Sequence, residues 1–211
     1  MSVARTVLVP GERLVRWFEN FGSRHGRPGF AVHEGRLAAT APDGAVAEAA
    51  LPFGRRYDGS PSVEGLCEAA SARVRWGVLL VRKGGFAVAA GTSPSLVLTK
   101  VGQRHVQGRT KAGGQSQQRF ARRRDNQARL AYDAAAEHAH RLLVREFGGV
   151  EALVCGGDRR AVETVLSDPR LDRLAAARTG PWLAVPDPRR AVLDQAVVDA
   201  WSVAITLHEP G

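Results

Sequence analysis

Three apolar segments in close succession constrain the fold of this chain more than any other feature. Trp76–Arg82 and 86–91 flank a Lys83-Gly84-Gly85 turn that is typical of a β-hairpin, and a third segment spans 95–100. Each segment is short enough for one strand, and the turns between them are too short for a crossover. They therefore predict an antiparallel three-stranded meander.

A long helix is predicted after the meander and a loop of about fifteen residues, since nothing between Ser116 and Phe147 breaks a helix. At ~1.5 Å per residue it forms an arm of roughly 45 Å, and Gly148-Gly149 is expected to cap its end. Its apolar stripe comprises Ala128, Ala131, Ala135, Ala139 and Leu142. Because the stripe begins only at Ala128, we expect the first three turns to project beyond the core.

The remaining segments alternate strand and helix. We predict a strand at 150–155, a helix at 159–167 with Asp158 as its N-cap, a strand at 181–185 and a last helix at 188–207. The resulting order, β-β-β-α-β-α-β-α, indicates an α+β fold with a mixed sheet that looks like the ribonuclease H-like architecture.

The N-terminal part predicts a small extension of helix and strands. A helix at 10–25 carries an apolar stripe that we assign to the core, formed by Leu14, Trp17, Phe18 and Phe21. Weak alternation over 29–53 predicts strands, and a loop at 54–62 precedes a short helix at 63–72. We divide the chain into an N-terminal part, 1–60, packed on a main domain, 61–211.

Positive charge is concentrated in one window of the chain. The net charge is +9, yet Lys100 to Arg129 holds nine basic residues and a single acid, Asp125. Solvated helix faces usually mix both signs. The window therefore indicates a binding site for a polyanion such as RNA.

Several common chemistries lack their residues. The three strands of the meander contain no Asp or Glu, which argues against a two-metal nuclease. The six histidines show no metal-ligand spacing, no Gly-x-Ser-x-Gly elbow is present, and Cys67 and Cys155 make no disulfide framework. No metal or cofactor is expected. Without an apolar run of about 18 residues or a signal peptide, we expect a cytoplasmic protein. We also expect it to be a monomer.

One tripeptide in the basic window, Gly113-Gly114-Gln115, offers chemistry of its own. Glutamine is neutral near pH 7, so it is no ordinary general base, but its amide can donate to or accept from a water molecule. The two glycines allow close backbone approach, so a backbone N–H can face a developing oxyanion. Such a tip works only where the substrate supplies the remaining machinery.

The residues around this tip resemble a known loop. The segment 111–122, Lys-Ala-Gly-Gly-Gln-Ser-Gln-Gln-Arg-Phe-Ala-Arg, matches the G-G-Q-S-x-x-R-F-x-R loop of eukaryotic and archaeal class I release factors. With the meander and the Leu14-x-x-Trp17-Phe18 helix, the whole chain is similar to the Vms-like release factor family of ribosome quality control.

This resemblance implies a ribosome-dependent peptidyl-tRNA hydrolase. Gln115, with Gly113 and Gly114, is implied to position water against the peptidyl-tRNA ester in the peptidyl-transferase centre of the large subunit, where the terminal ribose and rRNA complete the active site. The residues implied to grip rRNA or the tRNA acceptor end are Arg109, Lys111, Ser116, Arg119, Arg122, Arg123 and Arg124.

Two other functions stay open at this point. The basic arm could bind the ribosome or tRNA without catalysis, as a rescue or hibernation factor, or the tip could cut the tRNA 3′ end. No Asn-Ile-Lys-Ser motif is present and the chain is short for a separate stop-codon-reading domain. We therefore expect rescue of stalled ribosomal particles in place of termination at stop codons.

Overall fold

A computed structural model describes residues 4–93, 95–103 and 128–210. By contacts the chain divides into two compact units. The first comprises Met1–Arg73 with Val198–Gly211, and the second comprises Val74–Val197. This division differs from the predicted one, 1–60 and 61–211, in that the C-terminal segment joins the first unit, because it pairs with strands of the N-terminal part.

The described strands and helices alternate along the chain. The strands are β1 (Arg5–Val9), β2 (Gly29–His33), β3 (Arg36–Thr40), β4 (Val46–Ala50), β5 (Arg75–Arg82), β6 (Gly85–Thr92), β7 (Ser95–Gln103), β8 (Ala152–Gly157), β9 (Arg178–Leu183) and β10 (Val203–His208). The helices are α1 (Leu14–His25), α2 (Val63–Ala70), α3 (128–139, continued by a π-helical segment, His140–Glu146), α4 (Arg159–Leu166), α5 (Asp172–Ala176) and α6 (Arg190–Ala200). Short 3-10 turns lie at Gly11–Arg13, Pro52–Gly54 and Pro169–Leu171.

The first unit contains an antiparallel sheet with the order β1-β10-β4-β3-β2. Helix α1 packs against it through Leu14, Phe18 and Phe21, which are buried, while Trp17 is only half-buried. The prediction of core positions is thus confirmed for Leu14, Phe18 and Phe21, and for Trp17 in part.

The second unit contains a mixed sheet with the order β7-β6-β5-β8-β9. Strands β5, β6 and β7 form the predicted antiparallel meander, whereas β8 pairs in parallel with both β5 and β9. Helices cover the sheet, so the central strand β5 is buried continuously from Trp76 to Val81. This mixed α+β architecture confirms the predicted fold class.

The predicted last helix, 188–207, is wrong in its C-terminal part. Helix α6 ends at Ala200, and Val203–His208 is strand β10. That segment is rich in β-branched and apolar residues, and it forms a strand because β1 and β4 lie on either side to accept its hydrogen bonds. Strand β1 has the same dependence on a distant partner, and the sequence analysis missed it.

Two helix ends were predicted from local capping residues. Asp158 caps α4, since its carboxylate accepts hydrogen bonds from the backbone N–H groups of Arg160 (2.9 Å) and Ala161 (3.2 Å). Gly148 and Gly149 adopt positive φ after α3, and the N–H of Gly149 donates to the carbonyl of Leu143 at 2.8 Å. Both predicted caps are confirmed.

The two cysteines are free thiols. Cys155 is buried in the core of the second unit, and burial raises its pKa to about 12. Cys67 is half-buried, and desolvation also raises its pKa. Both remain protonated near neutral pH, which agrees with a structural role.

Candidate functional site

The ten site residues proposed from the sequence all lie outside the part of the chain that the structure describes. They are Arg109, Lys111, Gly113, Gly114, Gln115, Ser116, Arg119, Arg122, Arg123 and Arg124. The predicted helical turns 116–127 lie outside it as well. The structure describes what holds this segment, which is β7 on one side and α3 on the other.

Strand β7 ends at a defined edge of the second sheet. Gln103 pairs with Gly85, which follows the end of β5 by three residues. Because β5, β8 and β9 are parallel, their C-terminal residues, Arg82, Gly157 and Leu183, lie at this same edge. We call this row of strand ends the carboxyl edge. Ligand sites of α/β sheets commonly lie outside such an edge.

Helix α3 returns to the sheet near the same edge. Its Tyr132 lies close enough to Asp158, the residue after β8, for the carboxylate to add to the effect of burial in raising the pKa of the phenol. Arg129 and Leu130 are exposed, whereas Ala131 is buried. Gln103 and Tyr132, which lie on either side of the segment 104–127, are therefore both near the carboxyl edge.

The predicted apolar stripe of α3 is confirmed. Ala131, Ala135, Ala139 and Leu142 are buried, and Ala128 is half-buried. Most of them pack with β5, β6 and β8 side chains in the core of the second unit. The stripe thus fixes α3 on the sheet through Ala135, Ala139 and Leu142.

Two basic side chains fix α3 at separate points. Arg75 donates a hydrogen bond to the carbonyl of Phe147 and its guanidinium lies 5.0 Å from the centre of that ring. Arg170 contacts Glu137 of α3 at 2.8 Å and Asp168 at 2.7 Å. No local pattern predicts the pairing of Arg170 with Glu137, because these residues lie 33 positions apart in the sequence.

The acidic groups at the carboxyl edge already have structural partners. Asp158 caps α4, and Asp187 lies 3.4 Å from the Nε atom of Arg82. Over the described ranges, no group of three or more His, Cys, Asp or Glu side chains could hold a metal ion. The edge instead presents cations, including Lys83, which is exposed, and Arg159, which lies 4.5 Å from the ring centre of Trp182.

A family model described as the Actinobacteria/chloroflexi VLRF1 release factor matches residues 74–206. The match covers all of the second unit, Val74–Val197, and includes the segment 104–127. The chain belongs to this release factor family.

The matching solved structures are distant in sequence from this chain. No curated protein matches the chain. Among solved structures, an archaeal protein is 15% identical with a TM-score of 0.41, and the match covers 77% of this chain and 51% of that one. The archaeal translation termination factor aRF1 is 14% identical, with a TM-score of 0.45 and coverage of 95% and 65%. Archaeoglobus fulgidus Pelota is 12% identical, with a TM-score of 0.32 and coverage of 94% and 63%. The chain thus spans between half and two thirds of the length of these proteins.

In the described ranges of the chain, no helix is both long enough and apolar enough to cross a membrane.

The Arg170 contact makes the stability of the fold depend on pH in the acid range. Hydrogen bonding to Arg170 lowers the pKa of Asp168 from 3.8 to about 2. A carboxyl group whose pKa is lower in the folded state stabilises the fold above its unfolded pKa, and this contribution is lost as pH falls through the folded value. We expect Asp168→Asn to remove the part of the acid destabilisation that develops between about pH 4 and pH 2.

Thermal unfolding as a function of pH measures this effect. Asp133→Asn is the matched control, because Asp133 is exposed on α3 in the same unit and forms no ion pair with a described residue. An Asp168→Asn curve that parallels the wild-type curve down to pH 2 would contradict the prediction.

Proposed function

We propose that this protein hydrolyses the ester bond of peptidyl-tRNA on the large ribosomal subunit, with the tip Gly113-Gly114-Gln115 placed in the peptidyl-transferase centre. One observation carries the proposal: the complete G-G-Q-S-x-x-R-F-x-R string lies inside the region that matches a release factor family. Membership of that family supports a ribosome-associated release or rescue role, and the string adds the chemistry.

Gln115 is proposed to orient the attacking water through its side-chain amide. An amide offers both a donor and an acceptor, so it can hold a water molecule without ionising. Gly113 and Gly114 permit the backbone to approach the ester, where an N–H can stabilise the developing oxyanion. The ribose of the tRNA and the surrounding rRNA supply the groups that the tip lacks.

The basic residues of the arm are proposed to hold the tip in an RNA-lined cavity. Arg119, Arg122 and Arg123 follow the tip at helical spacing, so they can reach successive phosphates along one side of the arm. Arg109, Lys111, Ser116 and Arg124 are proposed to add contacts to the same RNA.

The scaffold supports this assignment. The strand order of the second sheet, β7-β6-β5-β8-β9 with β6 antiparallel to its neighbours, supports a ribonuclease H-like topology for the release domain. Strands β5, β6 and β7 contain no carboxylate, so the metal-dependent cleavage typical of that architecture has no ligands there. We place the chemistry in the tip, and the sheet serves to carry the arm.

We also propose that the protein is a monomer and acts in the cytoplasm, where ribosomes and peptidyl-tRNA are found. Its partners are proposed to be the rRNA of the large subunit and the tRNA that carries the nascent chain.

The test is to incubate the purified protein with large subunits that carry labelled peptidyl-tRNA and to resolve the products by size. Ester hydrolysis gives free peptide and tRNA of full length. A shortened tRNA, together with a peptide that still carries the terminal nucleotides of the tRNA, would identify a 3′-end nuclease. Stable binding without release of peptide would identify a binding factor, and either outcome would overturn the proposed hydrolysis.

A further inference from the structure

A groove in the first unit lies outside the family-matched region. It consists of two adjoining cavities of about 280 and 530 Å³ that share Val7, Trp17 and Asn20. We call it the α1–β1 groove, because its walls are α1 with the turn before it, and β1. Every residue that lines it precedes residue 74 or follows residue 206, so the release factor family match does not include it.

Trp17 stands in the middle of this groove and is held in one orientation. Its ring stacks nearly parallel on Phe21, with centroids 5.8 Å apart, and meets Phe18 edge-on at 5.0 Å. Phe18 and Phe21 are buried, whereas Trp17 is half-buried and borders both cavities. The indole is therefore a fixed aromatic surface that is partly open to a ligand.

Four arginines border the groove, and each is exposed: Arg5, Arg13, Arg16 and Arg24. None of them forms an ion pair with a residue that the structure describes, although Arg36 of the same unit lies 3.3 Å from Glu48. Of the described residues that line the groove, none is acidic.

The spacing of the basic residues places their charge on a single strip. Residues 13, 16, 20 and 24 recur at three- and four-residue steps, so Asn20 and three of the arginines share one face of α1 and the turn before it, next to Trp17. Arg13 and Arg16, three residues apart, carry like charges that repel each other. The strip is therefore complementary to a ligand that carries several negative charges.

We propose that the α1–β1 groove binds single-stranded RNA. The arginines contact successive phosphates, a base stacks on the open part of Trp17, and the side-chain amide of Asn20 offers a donor and an acceptor to a base edge. An acidic peptide would satisfy the arginines and leave the fixed indole without a role. A duplex has no unstacked base to present to it. The proposal does not depend on the Gly-Gly-Gln tip.

The test uses fluorescence anisotropy of the full chain with a labelled oligouridylate about 10 nucleotides long, within the footprint of single-strand binding folds. Arg119→Ala, Arg122→Ala and Arg123→Ala are introduced in every sample to weaken binding by the arm. The groove variant adds Arg13→Ala, Arg16→Ala and Arg24→Ala. Its matched control instead adds Arg27→Ala, Arg56→Ala and Arg73→Ala, three exposed arginines of the same unit that do not line the groove.

We expect the groove variant to bind the oligouridylate at least about tenfold more weakly than the control variant. Because three phosphate contacts are lost at ~0.7 each, the steepness of log affinity against log salt concentration should fall by about 2. Trp17→Leu is expected to weaken binding on the order of tenfold without changing that slope. The control variant should bind the RNA as tightly as the protein that carries only the three arm substitutions. All variants should keep the circular dichroism spectrum of that protein, because the changed arginines are exposed.

Three results would overturn the proposal. The groove variant could bind oligouridylate as tightly as its control. An RNA duplex of the same length could bind as well as the single strand, with no effect of Trp17→Leu. An oligoglutamate peptide could displace the RNA at equal affinity, which would identify the groove as a docking site for an acidic protein segment. Each result is independent of peptide release, so it leaves the proposed hydrolysis unaffected.

Discussion

Replacing Gln115 with alanine is expected to slow peptide release from large subunits by about 10²–10³-fold, the loss typical when one well-placed polar group at a reacting centre is removed. Binding to the subunit should stay unchanged, because an uncharged side chain at the tip contributes little to affinity for a polyanion. Single-turnover release of labelled peptide, with binding measured in parallel by co-sedimentation, separates these two quantities.

The neighbouring glutamines provide the control for this experiment. Gln118→Ala removes the same side chain three residues away, at a position that the G-G-Q-S-x-x-R-F-x-R pattern leaves open. We expect this variant to release peptide at close to the wild-type rate. Release by the Gln115→Ala variant at the wild-type rate would remove the catalytic role of Gln115 from the proposal.

Reversing the charge of the arm is the second change with a large expected effect. Arg119→Glu, Arg122→Glu and Arg123→Glu together should weaken binding to the large subunit on the order of 100-fold at moderate salt, and should reduce the salt slope by about 2. The reason is that three phosphate contacts are lost and three like charges face the RNA in their place. Co-sedimentation across a salt series measures both values.

Charge reversal away from the arm calibrates the measurement. Arg27→Glu, Arg56→Glu and Arg73→Glu change the net charge equally on an exposed surface outside the basic window. If both triple variants lose affinity to the same extent, the effect comes from net charge alone. Unchanged affinity of the arm variant would show that the arm does not hold the ribosome.

Local signals in the sequence were sufficient for the elements around the proposed site. The hairpin turn at 83–85 predicted the meander, Asp158 predicted the start of α4, and Gly148-Gly149 predicted the end of α3. Each of these depends on a few neighbouring residues, whose backbone preferences and hydrogen bonds do not require a distant partner.

Elements that depend on distant partners were missed or wrongly assigned. The predicted last helix extends to residue 207, yet Val203–His208 is a strand because β1 and β4 lie on either side of it. The contact of Arg170 with Glu137 and the placement of β1 beside α1, which forms the groove, are likewise absent from any local pattern. The side chains that form them meet only after the chain has folded.

By itself, the sequence determined the fold class, the apolar stripe of α3 and the basic window with its Gly-Gly-Gln string, because these depend on residue type and spacing along the chain. Only the tertiary structure decided that Gln103 and Tyr132, on either side of the segment 104–127, both lie near the carboxyl edge, and that β1 lies beside α1 and borders the groove at Trp17. The physical reason is that strand pairing and the burial of α3 fix which distant segments lie side by side. The spacing of residues along the chain does not record that proximity.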